Sequence, residues 1–303
     1  MRSGRFLAVS SRASSAVHFP LVTIMETRPK KGLGQHFLVN RSIARRIVKA
    51  FEDSFSGPIL EVGPGRGVLT DCLARLDRPV IAVEKDRELA RFLSDRYEGS
   101  ERVRIITGDI LSLDLRGLAE EGKGEKLAVI GNIPFRITSP LLKLLLDNRD
   151  RIEGAVLMLQ REVADRLTSP PGCRQYGALT VVTNYLATVD TILHVRRGSF
   201  FPIPEVDATV LRITPGGVSR EWRAGDVTDF MRIVRTLFGW RRKQIQKTLR
   251  LHPGFQLTGA DLSSLEESID YPLTVRPEDL TIRDYVRLAN RIREIKDNRC
   301  CPH

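Results

Sequence analysis

The stretch "EVGPGRG" (residues 61–67) ends a short apolar run and opens a helical pattern. Three glycines at alternate positions permit a tight turn and let the main chain approach a ligand closely. Glycine-rich turns at this place in an α/β unit bind NAD, FAD or S-adenosylmethionine, and some are only structural. The stretch therefore predicts an α/β fold with a nucleotide site at one sheet edge, and leaves the ligand open.

Short apolar runs alternate with helical patterns on both sides of this loop. We predict strands over 58–62, 79–83, 102–107, 127–130, 153–159, 188–195 and 208–213. We predict helices over 66–76, 86–97, 139–148, 161–168 and 178–187. This rhythm favours a mostly parallel seven-stranded sheet with helices on both faces.

Pro215-Gly216-Gly217 interrupts the pattern, and the strand signals end there. The remainder predicts four helices, over 227–238, 241–251, 259–269 and 278–295. We therefore predict an α/β domain over 28–215, a small all-α C-terminal domain over 216–303, and a basic, Ser-rich extension over 1–27.

The composition places the excess charge at the two ends of the chain. The 303 residues carry a net charge of +11. Residues 1–57 contain ten Lys/Arg and three Asp/Glu, and residues 216–303 contain sixteen Lys/Arg and twelve Asp/Glu. Residues 58–215 contain equal numbers of both and are neutral. A polyanion such as RNA is the natural partner, and a merely solvated basic surface is the alternative. No apolar run approaches the ~20 residues that span a bilayer.

The cysteines and histidines predict neither a disulfide framework nor a metal site. The four cysteines form no CxxC pair, and the five histidines are scattered. We expect a reducing compartment. The first 24 residues contain three arginines and no acid, which is typical of an organellar transit peptide. An extension upstream of a start at Met25 is the other interpretation, so a cytoplasmic location is expected, with a mitochondrial one as the alternative.

Two acids and a short loop indicate which of these ligands the site binds. Glu84 ends the second predicted strand and Asp109 the third, so a nucleoside across the sheet edge would meet one acid at its ribose and the other at its adenine. "GNIPF" (residues 131–135) follows the fourth strand. Alone, this pentapeptide could be a turn whose phenylalanine packs in the core. Together with the two acids, it favours S-adenosylmethionine over NAD.

Eight segments in order resemble the ribosomal RNA adenine N6,N6-dimethyltransferase family. They are "KKGLGQHFLVN", "EVGPGRGVLT", "VEKD", "GDIL", "GNIPF", "FFPIPEVDA", "GWRRKQIQKTL" and "RPEDLTIRDYVRLAN", between about residues 28 and 296. The resemblance implies a Rossmann-like methyltransferase that transfers methyl groups from S-adenosylmethionine to N6 of two adjacent adenosines near the 3′ end of small-subunit rRNA.

The resemblance also implies roles for particular residues. The residues implied for cofactor binding are His36, Leu38, Gly63, Gly65, Glu84, Asp109 and Asn132. Catalysis falls to Asn132, Pro134, Phe135 and Phe200, the last two stacking on the target base. Many members have Tyr at the position of Phe135 and Asn at that of His36; stacking survives the first change, and the second is tolerable.

The RNA contacts that we expect are basic. They are Lys30, Lys31, Arg241, Arg242, Lys243 and Lys247. On a helix, Arg242, Gln246 and Arg250 would form a stripe suited to phosphates, although a solvated basic face is the alternative. The expected partner is small-subunit rRNA or an immature small subunit, bound by a monomer.

Three other functions are possible for such a sequence. A large-subunit rRNA adenosine methyltransferase that confers antibiotic resistance would share several motifs, but "RPEDL" argues against it. A mitochondrial transcription factor derived from the family would have no need of the intact acids and Asn132. A nicotinamide-dependent oxidoreductase would share only the glycine loop, residues 63–67.

Overall fold

The protein is described by a computed structural model over residues 35–121, 124–217 and 223–300. The strands are β1 Phe37–Leu38, β2 Ile59–Val62, β3 Val80–Glu84, β4 Val103–Thr107, β5 Leu127–Asn132, β6 Ile152–Gln160, β7 Ala187–Val195, β8 Phe200–Phe201 and β9 Ala208–Pro215. The helices are α1 Arg41–Glu52, α2 Thr70–Leu73, α3 Arg87–Arg96, α4 Leu115–Glu121, α5 Thr138–Asp147, α6 Arg161–Leu167, α7 Ala178–Leu186, α8 Val227–Gly239, α9 Ile245–Leu251, α10 Gly259–Glu267 and α11 Ile282–Cys300.

Seven of the described strands form one sheet in the order β4-β3-β2-β5-β6-β9-β7. The strands from β4 to β6 pair in parallel, and β9 runs antiparallel to both β6 and β7. The central strands are buried on both faces: in β5, Val129 belongs to one core cluster and Ile130 to the other. This burial explains why the strands read as continuous apolar runs, and the prediction of a mostly parallel seven-stranded sheet is confirmed.

The glycine loop shortens the first predicted helix. We expected a helix over 66–76, but α2 spans Thr70–Leu73. Gly65 and Gly67 both have positive φ, at 59° and 81°, so the chain cannot be helical before residue 68. The turn is therefore longer than the sequence pattern indicated.

Helix α1 was not predicted, although its sequence carries clear signals. The Asn40 side chain accepts hydrogen bonds from the N–H groups of Ser42 and Ile43, at 3.0 and 3.1 Å, and so caps the helix. The buried residues of α1 recur at helical spacing: Ala44, Ile47, Val48 and Phe51. Helix α4 and the short strands β1 and β8 were also absent from the prediction.

The C-terminal helices pack on the sheet domain through a shared core. The Tyr185 and Phe230 rings lie 4.1 Å apart, and buried residues from β2 to α11 form one cluster. The helical content of 223–300 is as expected, and the division at residue 215 coincides with the end of β9. Whether 28–215 and 216–303 are separate domains stays a prediction; the 1–27 extension lies outside the described residues.

Two helix boundaries in this region differ from expectation. The helix predicted over 241–251 begins at Ile245, because the N–H groups of Ile245 and Gln246 donate to the carbonyls of Val275 and Leu273, at 3.0 Å each. The predicted stripe of Arg242, Gln246 and Arg250 is therefore wrong as a helical face. Similarly, α11 begins after Thr281, where Thr281 and Asp284 cap each other, and not at 278.

Glu61 is a fully buried carboxyl on β2, beside the glycine loop. Neither of its oxygens has a hydrogen-bond partner of good geometry. Burial raises the pKa of Glu61 to about 8, an effect that Thr70 moderates and the charge of Glu84 reinforces. The Glu61 carboxyl is therefore mostly protonated at neutral pH, which avoids the cost of an unpaired buried charge.

We predict that this proton makes stability pH-dependent. Between about pH 5 and pH 8 the unfolded chain releases it and the folded chain keeps it, so the free energy of unfolding falls as pH rises. Glu61 contributes up to about 1.4 kcal/mol per pH unit. Glu61→Gln cannot titrate and should lose this part of the slope. Denaturant unfolding at several pH values measures it, and identical slopes in the two proteins would contradict the prediction.

Candidate active site

One cleft opens at the carboxyl ends of the parallel strands, where β2 and β5 lie side by side. The chain leaves these strands in opposite directions, as ligand-binding crevices of open α/β sheets require. The cleft is lined by nine of the ten residues predicted for cofactor binding and catalysis: His36, Gly63, Gly65, Glu84, Asp109, Asn132, Pro134, Phe135 and Phe200. The exception is Leu38, a residue of β1 whose side chain is buried in the core.

The glycine loop forms the floor of the cleft. Gly63 and Gly65 have φ values of 67° and 59°, which only glycine adopts without strain. A Cβ atom on Gly65 would lie 2.9 Å from Cδ1 of Phe37, so the loop is packed against β1. The Gly65 N–H donates to Oε2 of Glu84 at 3.0 Å, which fixes the loop to the end of β3.

Glu84 is a buried carboxylate held by the main chain. Its two oxygens accept the N–H groups of Gly65 and Asp86, at 3.0 and 2.9 Å. Burial raises the pKa of Glu84, while these two hydrogen bonds act in the opposite direction. Glu84 lines the cleft, and each carboxylate oxygen has a second lone pair, so the side chain can accept both hydroxyls of a ribose.

Asp109 lies at the end of β4 and stays ionised. Its carboxylate accepts the N–H of Leu111 at 3.1 Å and pairs with Lys85 Nζ at 2.7 Å. The hydrogen bond from Lys85 lowers the pKa of Asp109. Gly108, beside it, has open space where a Cβ would stand. An ionised acceptor next to open space suits the amino group of an adenine.

The NIPF loop (residues 132–135) faces the glycine loop across the cleft. The Asn132 side-chain N–H donates to the His36 carbonyl at 2.8 Å, so the amide is oriented and its oxygen remains for a ligand. Ile133 N–H donates to the Met158 carbonyl at 3.0 Å, which anchors the loop to β6. Phe135 is 36% exposed, and its ring stacks on that of His36 with centroids 5.9 Å apart.

A small antiparallel ladder brings two distant motifs to the cleft. Strands β1 and β8 pair, with Leu38 opposite Phe200. His36 Nδ1–H donates to the Pro202 carbonyl at 2.9 Å, which joins the segments again. Phe200 is buried and lines the cleft wall. The ladder joins segments more than 160 residues apart, and local sequence patterns contain no signal for it.

Sequence reasoning gave no role to two other residues. Gln35 Nε2 donates to Asp86 Oδ2 at 3.1 Å, and so ties the segment before β1 to the helix cap after β3. Phe37 packs on the glycine loop. Both belong to the "QHFL" segment, and the resemblance alone pointed to them.

The predicted RNA contacts divide into three groups. Lys30 and Lys31 lie outside the described residues. Arg241 is half-buried, donates to the Arg174 carbonyl at 2.8 Å and pairs with Glu278 at 3.5 Å, so it holds two segments together. The remaining three, Arg242, Lys243 and Lys247, are exposed.

These residues fit S-adenosylmethionine. The cleft that they line is concave and partly open to solvent, as sites for small ligands and cofactors commonly are. Glu84 and Asp109 would hold the ribose and adenine, and Gly63 and Gly65 have no side chains to block the tail. No cluster of His, Cys, Asp or Glu able to hold a metal ion occurs in the described ranges. Likewise, no helix in this part of the chain is long and apolar enough to cross a membrane.

The sheet order, the glycine loop and the acids at the next two strand ends define an S-adenosylmethionine-dependent methyltransferase. The family model of the ribosomal RNA adenine dimethylases matches residues 26–292. The chain therefore belongs to the ribosomal RNA adenine dimethylase family, as the motifs indicated.

Individual relatives agree with this assignment. Ribosomal RNA small subunit methyltransferase A of Geobacter metallireducens is 39% identical over 262 residues, covering 86% of this chain and 94% of that protein. The protein of the same name from Pseudomonas aeruginosa is 35% identical over 282 residues, covering 91% and 99%.

Two solved structures share the fold at 25% identity. A dimethyladenosine transferase from Plasmodium falciparum has a TM-score of 0.66 and covers 84% of this chain and 96% of its own. The 23S rRNA methyltransferase ErmE has a TM-score of 0.65 and covers 85% and 99%.

We predict that Gly65→Ala weakens S-adenosylmethionine binding at least tenfold, about 1.4 kcal/mol. The new methyl would meet the Phe37 ring and push the loop away from Glu84. Gly99→Ala is the control, because Gly99 also has a positive φ, 76°, but open space around it. Calorimetric titration measures the two affinities, and a Gly65→Ala affinity equal to that of the control would contradict the prediction.

Proposed function

We propose that this protein dimethylates N6 of two adjacent adenosines near the 3′ end of small-subunit rRNA. The observation that carries the proposal is the Asn132 amide, whose nitrogen is committed to the His36 carbonyl while its oxygen remains for a substrate amine. The amide lines the cleft beside the exposed Phe135 ring. An oriented acceptor next to a stacking surface suits an extruded adenine.

An adenine amine is a poor nucleophile because its lone pair is delocalised into the ring. Asn132 Oδ1 would accept one amine N–H, and a main-chain carbonyl of the NIPF loop the other. The Ile137 N–H already donates to the Pro134 carbonyl at 3.0 Å, so the Ile133 carbonyl is the better second acceptor. Two fixed acceptors favour a pyramidal nitrogen, whose lone pair can attack.

S-adenosylmethionine, when bound, supplies an electrophilic methyl group on a sulfonium that departs as a neutral thioether. The methylated nitrogen, which carries the positive charge after transfer, then loses a proton to solvent. The protein's part is positioning, since Glu84 and Asp109 fix the nucleoside and Asn132 fixes the amine. Pro134 stiffens the NIPF loop at φ −58°. Phe135 and Phe200 would enclose the base, and stacking of about 1–3 kcal/mol per base offsets the cost of extrusion.

The main alternative is methylation of a large-subunit adenosine. The TM-scores to ErmE and to the dimethyladenosine transferase are nearly equal, so the fold alone does not distinguish them. The names of the relatives from Geobacter metallireducens and Pseudomonas aeruginosa favour the small subunit. We further propose that the protein acts as a monomer in the cytoplasm, on immature particles.

The deciding experiment uses small and large subunits from cells that lack this protein, with methyl-labelled S-adenosylmethionine. We expect label only in small-subunit RNA, recovered as N6,N6-dimethyladenosine by mass spectrometry of the nucleosides. Label confined to large-subunit RNA would reject the proposal in favour of the alternative.

Asn132→Ala should lower methyl transfer on the order of 10²–10³-fold, as expected when one preorganised polar group at a reacting centre is removed. S-adenosylmethionine affinity should stay within about tenfold, about 1.4 kcal/mol. Single-turnover rates and calorimetry measure the two effects separately. Undiminished transfer would show that the Asn132 oxygen does not hold the amine.

The proposed RNA contacts can be tested on the exposed pair Arg242 and Lys243. Their joint change to Ala should reduce the slope of log binding constant against log salt by about 1.5, because two phosphate contacts are lost. Arg241 is left intact because of its structural contacts. The matched control changes Arg102 and Lys126, exposed cations at the amino edge of the sheet, opposite the cleft. Equal slopes in both variants would remove the pair from the interface.

A further inference from the structure

Large apolar side chains are exposed around the mouth of the cleft. Among the described residues six are prominent, and five of them lie on this edge: Val39, Phe135, Phe201, Ile203 and Val206. The sixth, Leu251, is on α9. We call Phe201, Ile203 and Val206 the apolar rim; their exposures are 51%, 63% and 42%. Clustered exposed apolar groups mark binding surfaces more often than scattered ones.

The backbone of β8 dictates which phenylalanine faces outward. Side chains alternate along a strand, so the burial of Phe200 in the cleft wall places Phe201 on the opposite side. Phe201 pairs with Phe37 across the β1–β8 ladder. The same ladder that closes the cleft therefore presents a second aromatic ring directly outside it.

Basic groups accompany the rim. The Arg66 guanidinium lies 5.5 Å from the centre of the Phe201 ring and 4.8 Å from that of Phe37. Arg136, Arg196 and Arg197 are exposed on the adjoining segments, and Glu205 is the one acid within 200–206. Aromatic rings interleaved with cations are the usual surface for unpaired bases and their phosphates.

We infer that Phe201 is a stacking platform for the nucleotide next to the target adenosine, with Ile203 beside it and Arg66 toward the adjoining phosphate. The inference rests on the proposed function, because a target base between Phe135 and Phe200 obliges its neighbour to leave through the cleft mouth. The rim side chains offer no hydrogen-bonding groups to a base edge. The platform therefore selects for an unpaired base and not for a particular one.

The test combines a protein variant with an RNA variant. Phe201→Ala and the wild type are compared on small-subunit particles whose RNA is intact, or abasic at the nucleotide 5′ or 3′ of the target. For the wild type, an abasic site on one side should lower kcat/KM for the first methyl about tenfold, the usual scale of one stacking contact. On intact RNA, the kcat/KM of Phe201→Ala should be lower than that of the wild type by a similar factor. For this variant, the abasic site should lower kcat/KM by less than about a further twofold.

Two further variants sharpen the result. Phe201→Trp keeps a stacking ring and should restore both the rate and the sensitivity to the abasic site. Leu251→Ala removes an apolar group that is also exposed, but away from the rim, and should keep the wild-type sensitivity. S-adenosylmethionine affinity should be unchanged in the Phe201 variants, which separates stacking from damage to the β1–β8 ladder.

The inference is overturned if the losses in kcat/KM from Phe201→Ala and from the abasic site multiply, or if neither abasic position lowers the wild-type kcat/KM. It is also overturned if Phe201→Ala weakens cofactor binding as much as it lowers the rate. A wild-type protein that methylates no small-subunit particle would instead remove the proposed function itself. The two failures are therefore distinguishable.

Discussion

The strand order reverses between β2 and β5, and the cleft depends on this reversal. After β2 the chain moves outward through β3 and β4, and then returns to place β5 on the other side of β2. Their connections diverge and open a crevice at the carboxyl edge. The glycine loop after β2 and the NIPF loop after β5 face each other across it, so the residues proposed to bind the cofactor and the substrate lie close together without any long excursion of the chain.

The two sides of the cleft differ in chemistry. On the cofactor side, Glu84 is fixed by main-chain N–H groups, and Asp109 by one N–H and Lys85. On the side proposed for the substrate, the surface is aromatic and partly exposed, at Phe135 and along the apolar rim. A small ligand with fixed hydroxyls suits the first side, and a flexible polymer whose bases must leave a stack suits the second.

The sequence predicted the strands of the sheet to within two residues, because strands buried on both faces are continuous apolar runs. Four of the nine cleft residues are acids or glycines at strand ends, which have few structural uses there, and the other five were predicted only from the family resemblance. The prediction was incomplete where tertiary contacts determine the structure. The β1–β8 ladder joins residues far apart in the chain. Helix α9 begins later than predicted, where its first N–H groups donate to carbonyls of segment 273–275. An RNA contact of Arg241 stays a prediction; the sequence did not indicate that Arg241 also joins two distant segments, at Arg174 and Glu278.

The Tyr185–Phe230 contact belongs to a core that continues from the sheet into the C-terminal helices. Buried apolar area shared in this way is lost if either part is produced without the other. A fragment ending near residue 215 would expose the face of α7 that Phe230 covers, and would tend to aggregate. Proteolytic cleavage between residues 217 and 223 should, by contrast, leave two pieces that stay associated and melt together.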